Sequence, residues 1–218
     1  MGLWLFRREL DRAGLPQNAV DAGFAGVFGG LIGAKAWWTI EFFGTAPYLS
    51  LLFSRGGLSW FGGFTFGVAA GLLVIHFKRL PLLAVLSAAA PALAIGHAIG
   101  RIGCFMVGDD YGKVSDLPWA VAFPEGLPPT LDRVHPTQLY EAIPLFIVGA
   151  LLIRWRRHGR DDRFVFGAYL VLVGSVRFLI EFVRVNARVA GPFTVAQIAS
   201  FAVAVMGVAL LAKGWHSA

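Results

Sequence analysis

Six stretches of this chain are long and apolar enough to cross a lipid bilayer, and they limit what it can become. They cover residues 20–43, 58–77, 82–100, 138–153, 164–183 and 194–211. About 20 apolar residues carry a helix across roughly 30 Å of hydrocarbon, where every backbone N–H and C=O must find its partner inside the segment. The runs therefore predict an all-α fold, a polytopic membrane helix bundle. The fourth run is the shortest and needs either little tilt or help from interfacial residues. Composition excludes the other classes. Charged residues are 15% and hydrophobic residues 57% of the 218, whereas a soluble globule carries roughly 25% charge. Aromatics at 14%, glycines without a triplet period and a single cysteine rule out disorder, a collagenous repeat and a disulfide scaffold. Residues 1–218 read as one integral membrane domain, with an outer loop region at about 101–137.

A net charge of +6 and a pI near 10.0 raise the question of a nucleic-acid partner. None is expected, because the charges fall in short clusters between apolar runs, with no basic stripe interleaved with aromatics. They report topology instead. With six alternating helices, eleven of the 19 basic residues share one side: Arg7, Arg8, Arg12, Lys78, Arg79, Arg154, Arg156, Arg157, Arg160, Arg163 and Lys213. Six take the other side, Arg55, Arg101, Lys113, Arg133, Arg184 and Arg188, while Lys35 and Arg177 lie within runs. The richer side is the cytoplasmic one, and the C-terminus falls there. Residues 1–6 are apolar and meet Arg7-Arg8 at once, as the last turn of a helix would. They read as the stub of a seventh membrane helix, with an interfacial anchor as the alternative. A signal peptide needs a longer apolar core, and Gly2 has Phe6 where a myristoylation motif needs Ser or Thr.

Small residues recur at four-residue spacing in Gly26/Gly30, Gly29/Gly33, Gly63/Gly67/Gly71 and Gly96/Gly100. Each series lays a smooth stripe along a helix, suited to close crossing. Function is expected near the outer loop. His97 and Arg101 are four apart and share a helix face at the outer interface; the alternative for Arg101 is a helix-capping arginine that snorkels to headgroups. Arg177, Glu181 and Arg184 stand at i, i+4 and i+7, on one face at the end of the fifth helix. A charge inside the bilayer costs about 2.5–3.5 kcal/mol on insertion scales, so it pairs or lines a polar cavity. Two readings follow: a self-contained Arg–Glu–Arg ladder, or Glu181 orienting Arg177 so that its fork faces an anion. Arginine suits phosphate through planar, bidentate geometry and permanent charge.

Other chemistries find little support. His76, His97, His135, His158 and His216 are scattered without metal-ligand spacing, so no metal and no cofactor are expected. Cys104 reads as a small buried hydrophobe. Asp109 and Asp110 are candidates for a base or for holding an arginine, with a solvated turn as the alternative.

The chain resembles the bacterial prolipoprotein diacylglyceryl transferases. Gly100-Arg101-Ile102-Gly103-Cys104-Phe105-Met106-Val107-Gly108-Asp109-Asp110-Tyr111-Gly112 follows the frame of their G-R-x-G-N-F-φ-N-x-E-x-x-G signature. The likeness continues in Pro118-Trp119, in His135-Pro136-Thr137-Gln138-Leu139-Tyr140-Glu141, and in Arg177-Phe178-Leu179-Ile180-Glu181-Phe182-Val183-Arg184. Thr194-Val195-Ala196-Gln197-Ile198 and Gly29-Gly30-Leu31-Ile32-Gly33-Ala34-Lys35 extend it over nearly the whole chain. Within the frame, Cys104 and Val107 replace two asparagines, Asp109 replaces a glutamate, and Phe61 falls where many members have the His of H-G-G.

The resemblance implies seven membrane helices and a site facing the outer leaflet of the bacterial cytoplasmic membrane. It implies transfer of diacylglycerol from phosphatidylglycerol to the lipobox cysteine of a preprotein, releasing glycerol-1-phosphate. Arg101 and Arg177 would bind the lipid phosphate, with Gly112 and Tyr140 beside it. Glu181 and Asp109 belong to the same candidate set, and His97 and His135 are candidate bases. A catalytically silent relative that binds or moves anionic lipid is the alternative; an ion-coupled transporter using Arg177 and Glu181 is a third reading.

Overall fold

The computed structural model describes residues 1–45, 47–54, 57–186 and 188–215; Arg55, His216 and the Arg188 side chain lie outside the described residues. In chain order the α-helices are α1 (Gly2–Arg12), α2 (Val20–Glu41), α3 (Tyr48–Leu52), α4 (Trp60–Phe77), α5 (Leu82–Val107), α6 (Thr137–Arg157), α7 (Asp162–Ile180) and α8 (Val195–Trp215). Two antiparallel ribbons accompany them: β1 (Val121–Phe123) with β2 (Thr130–Val134), and β3 (Arg188–Ala190) with β4 (Phe193–Thr194). Among the described residues, six helices (α2, α4, α5, α6, α7 and α8) are long and apolar enough to span a bilayer, matching the six apolar runs. Their extents differ from the expectation in two places. The third helix continues past Gly100 to Val107, so the start of the expected outer loop is helical. The fourth spans 21 residues, because Arg154, Arg156 and Arg157 extend it, and it is no longer short.

The chain forms two compact units, Leu3–Ala89 and Met1–Gly2 with Ala90–Ala218. In the first, α2 and α4 run antiparallel along facing glycines. Gly26 meets Gly67, Gly30 meets Gly63 and Ala22 meets Gly71, so the numbers rise on one helix as they fall on the other. A Cβ on Gly67 would stand 2.9 Å from the Gly26 carbonyl oxygen, and one on Gly30 would stand 3.2 Å from that of Gly63. Lipid supplies no hydrophobic drive between helices, so close van der Waals approach has to hold them. Lys35, a cation within a span, donates to Ser54 Oγ at 2.8 Å and to the Ser54 carbonyl at 3.0 Å, and lies over the Trp38 ring. Lys78 pairs with Asp21. Leu5, Phe6 and Leu10 of α1 are buried, and buried Glu9 accepts from Arg12.

In the second unit, Ala90, Ala94, Val148, Leu152, Val165 and Ala168 from α5, α6 and α7 form the core. The crossing of α7 and α8 is another glycine contact: a Cβ on Gly207 would be 2.6 Å from the Gly167 carbonyl oxygen, and one on Gly174 2.7 Å from that of Ser200. Gly167 and Gly174 are two turns apart rather than one, so four-residue spacing missed them. Gly96/Gly100 is corrected: among the described residues nothing lies within 4 Å of a Cβ at either position, so this stripe makes no close helix crossing there.

After α5 the chain folds back onto the end of α7. Gly112 bridges Arg184 and donates its N–H to the His135 carbonyl, and Lys113 N–H donates to that of Val183. A Cβ on Gly112 would lie 2.6 Å from the Val183 carbonyl oxygen and 2.7 Å from the Thr137 side chain. That approach requires glycine.

Candidate functional site

The charged residues of the second unit meet around Glu141, in the first turns of α6. Arg101 Nε on α5 lies 2.8 Å from Glu141 Oε2, and Arg177 Nη1 on α7 lies 3.3 Å from the same oxygen. His97, one turn before Arg101, places Nε2 at ion-pair distance, 3.4 Å, from Glu141 Oε1 without forming a hydrogen bond. Arg177 Nη2 is 3.2 Å from Glu181 Oε2. Glu181 also accepts from Thr194 Oγ1 at 2.9 Å and from Asn186 Nδ2 at 2.5 Å. The glutamate side chains are 1% and 0% exposed. Burying a carboxylate costs several kcal/mol, and removing one member of a buried pair about 3–5 kcal/mol, so these two belong to a fixed frame.

The expected shared face of Arg177, Glu181 and Arg184 is corrected. At Glu181 the helix tightens into a 3-10 turn, Glu181–Val183, and Arg184 is extended at φ −85°, ψ 161°. Pairing of Arg184 with Gly112 and of Val183 with Lys113 pulls the chain off the helical path. Arg184 Nη2 thereby reaches Asp110 Oδ1 at 2.7 Å and keeps Glu181 at 3.7 Å. The ladder is not self-contained, because Glu141 and Asp110 join it.

Asp110 bridges two guanidiniums: Oδ2 accepts from Arg101 Nη1 at 2.8 Å, and Oδ1 from Arg184. Its backbone is left-handed, φ 60°, a conformation that costs a non-glycine residue and that short polar side chains bear best. Thr137 Oγ1 donates to its carbonyl at 2.8 Å, and Gln138 Nε2 donates to the Asp109 carbonyl at 2.6 Å. Two residues of the His-Pro-Thr-Gln segment thus pin the loop to the start of α6. Burial pushes the Asp110 carboxyl up, but hydrogen bonding to Arg101 and the Arg184 charge outweigh it and leave the group below the usual carboxylate range. Together Arg101, Arg177 and Arg184 face Asp110, Glu141 and Glu181, three unit charges of each sign.

The other candidates lie at the edge of this cluster or outside it. His135 Nδ1 is 3.3 Å from Tyr140 Oη, which accepts from Trp119 Nε1 at 2.6 Å. Among the described residues, these side chains bond to one another and not to the arginines. Cys104 Sγ is 3.8 Å from Arg101 Nη1. Cys104, Asp109 and Asp110 present ligand-type atoms within 4.8 Å of one another, but Arg101 and Arg184 already hold Asp110 and oppose a divalent cation there. Val107 is exposed at the end of α5. Phe61 stands on α4 in the first unit, edge-on to Trp60. His76 closes α4, and His158 Nδ1 meets the Arg154 carbonyl at the end of α6. Sequence reading gave Glu141 no role. The signal was present, since Glu141 is the one charged residue in the run 138–153 and a lone intramembrane carboxylate demands a partner.

Six membrane-length helices among the described residues make this a multi-pass membrane protein, and three of them, α5, α6 and α7, carry a buried arginine–carboxylate centre. Comparison with known proteins gives its family. The family model described as prolipoprotein diacylglyceryl transferase matches residues 1–213, and the chain belongs to that family. It is 33% identical over 223 residues to the phosphatidylglycerol–prolipoprotein diacylglyceryl transferase of Geobacter sulfurreducens, covering 95% of this chain and 83% of the relative. The protein of that name from Vibrio parahaemolyticus is 33% identical, over 96% of this chain and 80% of its own. That of Aeromonas hydrophila is 34% identical, over 84% and 68%.

Proposed function

We propose that this protein transfers the diacylglyceryl group of phosphatidylglycerol to the lipobox cysteine thiol of prolipoproteins and releases glycerol-1-phosphate. Membership of the family and the names of its relatives support the reaction. The observation that carries the site is the convergence of Arg101 and Arg177, from separate helices, on a single carboxylate oxygen of Glu141. An oxygen between two guanidiniums is the environment a phosphate oxygen prefers.

In this reading the preprotein sulfur attacks the glyceryl carbon that carries the phosphate. A C–S bond forms, the C–O bond breaks, and the oxygen leaves with both electrons on glycerol-1-phosphate. Negative charge grows on that phosphate, and pre-placed guanidiniums stabilise it, typically a large catalytic contribution. Arg101 and Arg177 take this role, and Glu141 and Glu181 fix their forks. The thiol must lose its proton to become nucleophilic. His97 is the better-supported acceptor, because its Nε2 stands in the arginine cluster, 3.4 Å from Glu141 Oε1, whereas His135 contacts Tyr140 at its edge. Gly112 holds the loop against the end of α7, and Tyr140 and His135 brace its far side beside Trp119. Asp109 anchors the same loop through its carbonyl.

The excess of basic residues on the side of α1, Lys78 and Arg154 supports a cytoplasmic position for that side and for the C-terminus. The site then faces the outer leaflet of the bacterial inner membrane. The test is purified full-length protein with labelled phosphatidylglycerol and a lipobox peptide. Thiol-dependent release of glycerol-1-phosphate, lost in Arg101→Ala, is expected. Lipid binding without release, where a relative turns over, would overturn the assignment.

A further inference from the structure

We propose that Asp110 is a displaceable counter-ion, bridging Arg101 and Arg184 until the phosphate of an incoming lipid takes its place. The inference rests on the phosphatidylglycerol reading above. It begins with charge. Three arginines face three carboxylates, and Asp109 brings a fourth within 4.8 Å of Asp110, so a phosphodiester entering without displacement adds negative charge to a largely buried cluster that holds no excess of arginine.

One carboxylate is able to leave. Glu141 and Glu181 are buried and rooted in or directly after helices, and Glu181 has two further donors in Thr194 and Asn186. The Asp110 side chain is 46% exposed and lies outside every helix. Its main chain is tied down by Thr137, and its neighbours by Gln138 and His135, so a side-chain rotation releases the arginines while the loop stays in place. The exchange also preserves geometry. The two Asp110 oxygens span Arg101 and Arg184 at 2.8 and 2.7 Å, and two non-bridging phosphodiester oxygens carry the same single negative charge, so Arg184 joins Arg101 and Arg177 around the phosphate. Until lipid arrives, Asp110 keeps Arg101 and Arg184 in place. After transfer it competes with glycerol-1-phosphate for them and favours product release.

Because the apparent affinity of a ligand falls with the fraction of sites open to it, removing the Asp110 charge should tighten binding. Wild type and Asp110→Asn, full-length and in phosphatidylcholine nanodiscs, are titrated with phosphatidylglycerol and, separately, with inorganic phosphate. The expected result is phosphatidylglycerol affinity raised at least about threefold in Asp110→Asn, with both KM and kcat lowered as product release slows. Unchanged or weaker affinity for both probes overturns the proposal. Tighter phosphate binding in the variant, with neither protein binding phosphatidylglycerol, upholds the counter-ion and retires the lipid assignment. A second measurement needs no variant: carbodiimide labelling of Asp110 in the wild type should rise when either anion saturates the site. Labelling that stays level or falls also overturns it.

Discussion

At the scale of single residues, the site works through the geometry of its charges rather than their number. Arg177 addresses Glu141 through one terminal nitrogen and Glu181 through the other, which only a planar guanidinium can do. Arg177→Lys keeps the charge and loses the fork. Transferase activity should fall by about 100-fold or more, the scale of losing one pre-placed donor, while the thermal midpoint in micelles shifts by only a few degrees. Parallel loss of both would contradict the ligand role. Asp110 makes a second prediction. Its folded-state pKa lies below the unfolded value, so its pairing contributes fully above about pH 4 and is lost as pH falls through the folded value. Unfolding midpoints of wild type and Asp110→Asn should therefore differ at pH 6 and converge on acidification. A gap that widens toward low pH would reverse the sign and exclude this linkage. Arg177 was conspicuous in sequence as a charge inside an apolar run, and Arg101 as a cation at the end of one. Glu141 was equally conspicuous, yet its partners lie on other helices, and no local spacing names them.

At the scale of elements, small residues mean different things on different helices. Gly67 on α4 faces backbone on α2, whereas Gly96 on α5 faces nothing within 4 Å among the described residues. Gly67→Ala should cost about 1–3 kcal/mol, because the contact is backbone and cannot rotate away. Gly96→Ala should be neutral or slightly stabilising, since alanine is the better helix former. Thermal unfolding of the two variants in the same micelle checks this, and equal destabilisation would show that Gly96 also packs. Four-residue spacing found the α2–α4 contact because both helices carry regular glycine stripes. It missed α7–α8, where Gly167 and Gly174 face Ser200, Ala204 and Gly207. The tightening of α7 at Glu181 was illegible for a related reason. SVRFLIEFVR has unbroken helical character, and the turn is imposed by a loop more than 60 residues earlier that pairs with Val183 and Arg184.

At the scale of the whole molecule, the proposed topology rests on arginine and lysine alone. In a Cys104→Ser background, Glu125→Cys should react with a membrane-impermeant maleimide on intact cells, and Arg160→Cys only after permeabilisation. The opposite pattern would invert the orientation and put the site on the cytoplasmic leaflet. The family match runs over residues 1–213, so the departures at Phe61, Cys104, Val107 and Asp109 sit within a chain that otherwise keeps the family's order. Arg101, Glu141, Arg177 and Glu181, which stand in that same frame, form one connected cluster.

Sequence by itself determined the class, the six spans and the side on which the charges accumulate. These are local properties: a run either is or is not long enough for the hydrocarbon, and each intervening charge is counted where it stands. Tertiary structure decided which opposite charges meet. Whether Arg101 and Arg177 reach one oxygen of Glu141 depends on the rotation of three helices about their axes, and Asp110 joins them only because a loop anchored at Gly112 folds back onto α7. Rotation and fold-back are set by packing between segments far apart in the chain, which no window along the sequence contains.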